Sequence, residues 1–297
     1  MRFAKTWSTP VKPEKKSLIP CVICGAKNFR QSLSCEGFCY VRCECCGLVQ
    51  MNPQPLEEEI KRRYVHGEDY LAYEIANEES YLNLQLLALK DAGFRELEEE
   101  IFSANHHKPF PVPRVLDIGC ATGTLLSSLR EGGWETAGVE INRFQAEYSR
   151  SSRKLDILGM PLEENSLPPS SFNMVIASHL LEHLNNPFAL VQEVHRILMP
   201  GGRFFVTTPN IEGFQAKLFG SRWRSAIFDH LYLFSVKTLS KLLGQAGFTV
   251  EKTVTWGGLA AGTAPPPVKR ILDRAARRFG FGDVMIIRSV KKNETQV

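Results

Sequence analysis

The sequence predicts an α/β fold in which a doubly wound sheet follows a small cysteine-rich module and a helical segment. From residue 114 onward, short apolar runs alternate with helical patterns, as in parallel sheets with crossover helices. A glycine-rich turn at residues 119–123 follows the first apolar run, and two cysteine pairs precede residue 50. The length of 297 residues and the hydrophobic content of 43% suffice for one full core plus an accessory module.

The N-terminal residues 1–18 are predicted to form a disordered basic tail. Lysines occur there without the apolar segment of a secretory signal. The chain has no run of 18 apolar residues, so no transmembrane helix is expected. Eight cysteines in a sequence without a visible leader favour reduced, metal-binding thiols over disulfides. These observations together predict a cytoplasmic protein.

The cysteine-rich module at residues 19–55 has the pattern of a zinc ribbon. Two C-x2-C-G knuckles, separated by eighteen residues, present four thiolates, which satisfy a tetrahedral zinc ion. The predicted ligands are Cys21, Cys24, Cys43 and Cys46. Cys46 is preferred over Cys45 because a glycine follows it and lets the turn close, while Cys35 and Cys39 are the rival ligands. Four thiolates leave no open position, so the zinc is expected to be structural.

An acidic helical segment and a linker are predicted for residues 56–108. Residues 56–104 contain thirteen Asp and Glu against five Lys and Arg. Four tyrosines are interspersed, namely Tyr64, Tyr70, Tyr73 and Tyr81. A proline-rich stretch with adjacent histidines at 106 and 107 follows and is predicted to be a solvated loop.

Residues 114–123 are predicted to form one side of a nucleotide-type pocket. A buried strand at 115–118 and a helix at 124–130 flank a turn that contains Gly119 and Gly123. Glycines let the backbone approach a ligand, and the N–H groups of the first helical turn favour an anionic group. The Gly-x-x-x-Gly spacing differs from the Gly-x-Gly-x-x-Gly of dinucleotide-binding folds, which disfavours NAD. A second strand at 136–140 ends in Glu140 at the same sheet edge, where a carboxylate can accept both ribose hydroxyls.

The remaining pattern completes the sheet. Further strands are predicted at residues 155–158, 171–177, 203–207, 248–254 and 282–288. Helices are predicted at residues 142–152, after caps at Asn186 and Ser235, and after the prolines at 265–267. Between the strand at 203–207 and the Ser235 cap, residues 211–230 form an insertion rich in aromatic and small side chains.

This arrangement resembles the class I S-adenosylmethionine (SAM)-dependent methyltransferases. Their first motif is an acidic residue followed by Gly-x-Gly-x-Gly, and their second strand ends in an acidic ribose ligand. The stretch SFNMVIASHLLEHLNNP at residues 171–187, with ILMPGGRFFV after it, is similar to the ubiquinone-biosynthesis O-methyltransferases. The resemblance covers about residues 112–292 and implies a seven-stranded Rossmann-like sheet whose last strand is antiparallel. Residues 109–297 are therefore assigned to a SAM-dependent methyltransferase domain.

The resemblance implies a set of cofactor-binding residues. They are Asp117, Gly119, Cys120, Ala121, Gly123, Glu140, Ile141, Met160, Leu162 and Ser178. Ala121 replaces the middle glycine of the family pattern, Met160 stands where many members have an acidic residue, and Asn173 where most have aspartate. The adenine is accordingly expected to be held by apolar contact from Met160 and Leu162. The tyrosines of the acidic segment are expected either to cover the cofactor or to pack on the core.

A histidine near the transferred methyl would serve as the general base for a hydroxyl acceptor. His179, His183 and His230 are the candidates, the resemblance favours His183 and His230, and a structural role for each is the alternative. The insertion at 211–230 is expected to cover the acceptor. Residues 179–183 also spell H-x-x-E-H, the inverted zinc-protease motif. The motif begins at a strand end and meets Asn-Asn-Pro, which disfavours a protease.

The expected activity is methyl transfer from SAM to a small-molecule, lipid or sugar-type acceptor. The C-terminal helix has a basic face, which is either a solvated surface or a contact for an anionic substrate, RNA or lipid. Its basic residues are Lys269, Arg270, Arg274, Arg277 and Arg278. An rRNA or tRNA methyltransferase is one alternative, supported by the zinc module and this helix, although an Asn/Asp-Pro-Pro-Tyr motif is absent. The other is a non-catalytic SAM-binding protein, against which the complete set of Asp117, Gly119, Gly123 and Glu140 counts.

Overall fold

The computed structural model describes residues 18–56, 68–105, 112–257 and 265–292. The predicted tail before residue 18, Tyr64 and the histidines at 106 and 107 lie outside these ranges. The described chain contains a small four-stranded sheet and a larger seven-stranded sheet. Buried side chains form separate clusters on the two faces of the larger sheet, as a doubly wound fold requires.

The small sheet contains the ribbon strands and one strand from much later in the chain. Its members are β1 (Phe29–Cys35), β2 (Phe38–Cys43), β3 (Val49–Met51) and β9 (Tyr232–Leu233), in that spatial order and all antiparallel. Val49 pairs with Leu233, and the N–H of Met51 donates to the carbonyl of Leu231 at 2.8 Å. The ribbon is thus completed by a strand that follows the predicted insertion.

The larger sheet confirms the predicted class and strand directions. Its strands are β4 (Arg114–Ile118), β5 (Glu135–Val139), β6 (Asp156–Leu158), β7 (Phe172–Ser178), β8 (Leu198–Pro209), β10 (Phe248–Trp256) and β11 (Val284–Lys291). Their spatial order is β10-β11-β8-β7-β4-β5-β6. Strands β4, β5, β6, β7 and β8 all pair with their neighbours among one another in parallel. Strand β11, in contrast, runs antiparallel to both β8 and β10. The carboxyl ends of β4, β5 and β7 therefore meet at one edge.

Eight helices of the described chain connect these strands. They are α1 (Glu68–Asp91), α2 (Phe94–Asn105), α3 (Thr124–Glu131), α4 (Arg143–Arg153), α5 (Pro187–Ile197), α6 (Phe214–Phe219), α7 (Val236–Gln245) and α8 (Pro266–Phe279). Both predicted caps are present. The side chain of Asn186 accepts from the N–H of Ala189, and Ser235 forms a reciprocal capping box with Thr238.

Strand β8 begins five residues earlier than predicted. Leu198 pairs with Phe172 and Arg203 with Met174, so residues 199–202 bulge out of the ladder. Gly201 has a φ of 76°, which a glycine adopts without strain. Residues 199–202 are thus an irregularity within one long strand, because the residues on both sides of them pair with β7.

Helix α2 attaches the acidic segment to one face of the larger sheet. Phe94 and Leu97 are buried, and the Phe94 ring lies 5.6 Å from Phe205 and 5.8 Å from Trp134. The Trp134 indole N–H donates to Glu98 at 2.6 Å. The apolar stripe of this helix therefore covers β4 and β8, while Glu96, Glu99 and Glu100 are exposed.

Candidate cofactor and acceptor site

The turn after β4 is held in place by β5. The N–H groups of Gly119 and Cys120 both donate to the carbonyl of Val139, at 2.8 and 3.1 Å. Gly119, Ala121 and Gly123 have φ values of 75°, 48° and 73°, the left-handed region that favours glycine. A Cβ added at Gly123 would collide with Leu155, so the glycine there also permits the close packing of α3. Ala121 shows that a single methyl group is accommodated at the middle position.

Glu140 lies at the carboxyl end of β5 and binds the turn directly. One carboxylate oxygen accepts the N–H of Ala121 at 3.0 Å, and the other accepts the N–H of Asn142 at 2.7 Å. Burial raises the pKa of Glu140, and the two N–H groups oppose that rise. The carboxylate is therefore fixed in orientation before any ligand binds, with lone pairs left for ribose hydroxyls.

Asp117, on β4, is buried next to Glu140. Burial, together with the charge of Glu140, raises the pKa of Asp117 to about 8. A raised pKa favours the neutral form of Asp117, because two ionised carboxylates this close and this buried would repel each other.

The apolar residues predicted for the adenine differ in exposure. Ile141 and Met160 are 44% and 49% exposed, and each lies two residues after the end of its strand, β5 and β6 respectively. Leu162 is buried in the main core cluster, Cys120 is buried behind the turn, and Ser178 is half-buried at the end of β7. Exposed apolar side chains are available to a planar base at Ile141 and Met160, and the contact with Leu162 stays a prediction.

Helix α1 crosses this edge and adds residues that the sequence pattern did not identify. Glu78 accepts from Arg153 on α4 at 2.6 Å and from Thr124, the first residue of α3, at 3.2 Å. One turn earlier, Glu74 bonds to Tyr70, and burial raises the pKa of Glu74. Tyr73 and Tyr81 are exposed, with their hydroxyls 3.3 Å apart, and do not pack in the core. The helix therefore lies against the predicted cofactor pocket.

The two predicted catalytic histidines lie side by side. The ring centroids of His183 and His230 are 4.7 Å apart in an edge-to-face arrangement. The Nδ1 atom of His183 lies 3.0 Å from the carbonyl of Asp229, and that of His230 lies 2.8 Å from the carbonyl of Ser225. Since a carbonyl only accepts, each Nδ1 is the protonated nitrogen, which places the lone pair of each neutral ring on Nε2.

Glu182 is the buried carboxylate of this group, and no role was predicted for it beyond the disfavoured protease motif. It accepts from Thr208 at 2.9 Å and lies 3.3 Å from Nδ1 of His179. Burial acts to raise the pKa of Glu182, but the surrounding histidines lower it to about 2. Burial and the neighbouring His183 lower the pKa of His230 to about 4. Near neutral pH the group thus contains an ionised Glu182 and a neutral His230.

The geometry also disfavours the protease interpretation of the H-x-x-E-H sequence. Residues 181–183 form a single 3-10 turn, so His179 and His183 do not share a face of a stable helix. The ligand atoms of Glu182, His183 and His230 do lie within 4.8 Å of one another. This histidine–carboxylate combination has the chemistry to hold a divalent cation.

The four predicted zinc ligands converge. The Sγ atoms of Cys21 and Cys46 are 3.4 Å apart, those of Cys24 and Cys43 are 3.5 Å apart, and all four lie within 4.8 Å. A tetrahedral ion with Zn–S bonds of about 2.3 Å needs sulfurs separated by about 3.8 Å, so the donor set fits zinc. Cys45 is exposed.

The rival cysteines lie elsewhere in the ribbon. Cys35 contacts the carbonyls of Ser221 and Ala226, and Cys39 contacts that of Asn52. Both thiols are thus engaged with backbone oxygens and are separate from the four-cysteine cluster.

Among the helices of the described residues, none combines the length and the apolar character needed to cross a bilayer.

Comparison with known proteins shows that the chain matches a known family. The methyltransferase domain family matches residues 83–253, more than half of the chain. The ubiquinone biosynthesis O-methyltransferase of Idiomarina loihiensis is 31% identical over 115 residues, which are 37% of this chain and 47% of the relative. A probable SAM-dependent methyltransferase of Mycolicibacterium smegmatis is 29% identical over 143 residues, 47% of this chain and 53% of the relative. The chain thus spans about half the length of the curated relatives it matches.

A solved structure shares the fold. The crystal structure of a SAM-dependent methyltransferase from Thermotoga maritima, described as a possible histamine N-methyltransferase, has a TM-score of 0.55. It is 22% identical, and the match covers 79% of this chain and 99% of that one. At this identity the likeness extends to the fold alone.

The cysteine cluster predicts one zinc ion per chain. Elemental analysis of the purified protein should give one equivalent, and Cys43→Ser should lose it because three thiolates do not complete the tetrahedron. Cys39→Ser is the matched control, since its thiol lies in the same module but outside the cluster. Retention of zinc in both variants, or loss in both, would contradict this ligand set.

Proposed function

This chain belongs to the methyltransferase domain family, and from that premise we propose that it transfers a methyl group from SAM to a hydroxyl of a small-molecule, lipid or sugar-type acceptor. The observation that carries the proposal is the pair of hydrogen bonds that Glu140 accepts from the N–H groups of Ala121 and Asn142. They orient a carboxylate at the sheet edge before any ligand binds. SAM supplies an activated methyl group on a sulfonium. The protein's part is to bind it, align the acceptor, exclude water and remove a proton.

Cofactor binding falls to the turn and the second strand. Glu140 would accept the ribose hydroxyls with the lone pairs that its backbone contacts leave open. Ile141 and Met160, both exposed, would enclose the adenine by apolar contact. Gly119 and Gly123 let the backbone approach the remaining part of the cofactor, and Glu74 on α1 adds a carboxylate whose charge acts on Glu140.

The acceptor would bind between the end of β7 and the insertion at 211–230. Leu180, just after β7, lies next to the position that a Cβ on Gly119 would occupy, so the segment leading to His183 borders the cofactor turn. The insertion brings His230 against His183. This convergence supports an acceptor site next to the turn.

We assign the general base to His183 and a positioning role to His230. His183 is half-buried and presents Nε2 as the basic nitrogen, because Nδ1 donates to the backbone carbonyl of Asp229. His230 is buried, and its pKa of about 4 makes it a weak base. Glu182, held by Thr208, would stabilise the positive charge on His183 once the acceptor proton has been transferred.

The ribbon supports the acceptor wall. Tyr40, fully buried on β2, places its hydroxyl 2.7 Å from the carbonyl of Ile227 and 2.8 Å from that of His230. The rings of Phe38 and Phe228 lie 5.5 Å apart, edge to face. A structural zinc in the ribbon would therefore act on the site indirectly, by stabilising strand β2, whose Tyr40 bonds to residues 227 and 230.

A first test concerns the cofactor. Glu140→Ala should weaken the binding of SAM, or of its demethylated product, by roughly ten- to a hundred-fold, since hydrogen bonds to a charged group contribute about 1.5–3 kcal/mol. Isothermal titration calorimetry measures the affinity. Glu147→Ala, an exposed glutamate on α4, is the control and should bind normally. Equal affinities for the two variants would remove Glu140 from the cofactor site.

A second test concerns catalysis. His183→Ala should leave SAM affinity and melting temperature nearly unchanged but slow single-turnover methyl transfer by roughly 10² to 10⁴, the usual contribution of a positioned base. The comparison variant is His179→Ala, whose side chain is about half exposed. A purely structural His183 would instead lower the melting temperature, the SAM affinity and the rate together. An unchanged rate would move the assignment of the base to His230.

A further inference from the structure

Helix α8 presents an apolar stripe to solvent. Val268, Ile271 and Phe279 are 45%, 65% and 74% exposed. Together with Ala275 they recur at intervals of three and four residues, so they share one face of the helix. The helix contacts the sheet by a different face, where Ala276 is fully buried and its carbonyl accepts from Thr255 on β10 at 3.0 Å. The apolar stripe therefore faces away from the core.

Basic side chains line one flank of this stripe. Helix α8 contains five basic residues and one acidic residue. Lys269 pairs with Asp273, and Arg277 pairs with Asp91 at the end of α1. Arg274 and Arg278 are exposed, and the described residues include no acidic side chain in an ion pair with them. Helical geometry places both arginines on the flank opposite Ala276.

A second exposed apolar set adjoins the end of α8. The rings of Phe279 and Phe281 are stacked at 6.3 Å, and the carbonyl of Phe281 accepts the N–H of Phe214, the first residue of α6, at 2.9 Å. On α6, Phe214 and Leu218 are 39% and 57% exposed, with the exposed Lys217 beside them. Apolar and basic side chains thus continue from one helix to the next.

We propose that this surface, formed by the apolar stripe of α8, its arginine flank and the adjoining α6, docks on an anionic lipid bilayer. An apolar face bordered by arginines lets a helix lie in the interface, with apolar side chains among the acyl chains and arginines at the headgroups. A symmetric contact with a second copy would bring Arg274 and Arg278 of both chains together, which costs free energy. RNA would contact the arginines but gain nothing from Val268 and Ile271, which do not stack on bases.

Docking would orient the rest of the molecule. Helix α6 lies within the insertion at 211–230, whose last residue is His230. Contact through α6 and α8 would therefore bring the insertion close to the headgroups, where an acceptor in the lipid phase is accessible. The docking itself does not depend on the proposed methyl transfer, and its test needs neither SAM nor an acceptor.

Sedimentation with extruded vesicles tests the proposal on the full chain. The protein should bind vesicles that contain phosphatidylglycerol more tightly than vesicles of phosphatidylcholine alone, and added salt should weaken the binding. The pair Arg274→Gln and Arg278→Gln should lower the partition coefficient roughly thirty-fold. The pair Ile271→Ser and Phe279→Ser should lower it by at least about tenfold. The control pair, Leu84→Ser on α1 and Arg95→Gln on α2, removes an exposed leucine and an exposed arginine elsewhere on the surface and should bind normally.

Three results would overturn the proposal. The first is that the unmodified chain fails to sediment with anionic vesicles. The second is that only the arginine substitutions weaken binding, that the Ile271 and Phe279 variant binds vesicles normally, and that the unmodified chain binds RNA through the same arginines. The third is that the unmodified chain self-associates in analytical ultracentrifugation and only the apolar variants are monomeric, with no vesicle binding. All substituted side chains are exposed, so each variant should retain the unmodified melting temperature.

Discussion

The carboxylate of Glu140 holds together the parts of the chain on which the cofactor site depends. It accepts the N–H of Ala121 in the turn after β4 and the N–H of Asn142 at the start of α4. Because β4 and β5 pair in parallel, both turns leave the sheet at the same edge, and a single side chain can reach them. The buried carboxylate needs these donors, since an ionised group without partners would be costly at this position. The same contacts fix its orientation for a ligand, so folding and binding require one geometry.

The acceptor side depends on contacts between distant parts of the sequence. Strand β9 joins the ribbon sheet, and the N–H of Leu231, just before it, donates to the carbonyl of Glu182 at 2.7 Å. Residues 226–233 are thus bound on one side by the ribbon and on the other by the segment after β7. The ribbon is part of the wall of the proposed acceptor site, in addition to containing the four-cysteine cluster. The sheet of the N-terminal module is therefore complete only when β9, from the following domain, pairs with β3.

Local patterns predicted much of this fold, and long-range contacts account for what they missed. The strand–turn–helix at residues 114–130, the caps at Asn186 and Ser235, and the antiparallel β11 follow from periodicity, capping chemistry and resemblance, and all are confirmed. No local pattern indicates that Tyr232 and Leu233 pair with β3, because a two-residue strand has no periodicity. No local pattern indicates that Glu182 is buried, because Thr208 and His230, which lie next to it, come from later segments of the chain. Glu74 and Glu78 belong to an acidic helix, and only the path of α1 brings them to the pocket.

Transfer of tritium from methyl-labelled SAM into fractionated cell extract tests the central claim, that this sheet edge supports methyl transfer, most directly. We expect the purified chain to move label into an acceptor that is a small metabolite, lipid or saccharide, and the heat-denatured chain to move none. Label in the RNA fraction would contradict the proposed acceptor class. SAM binding without transfer of label into any fraction would contradict the enzymatic claim and leave a protein that binds the cofactor only.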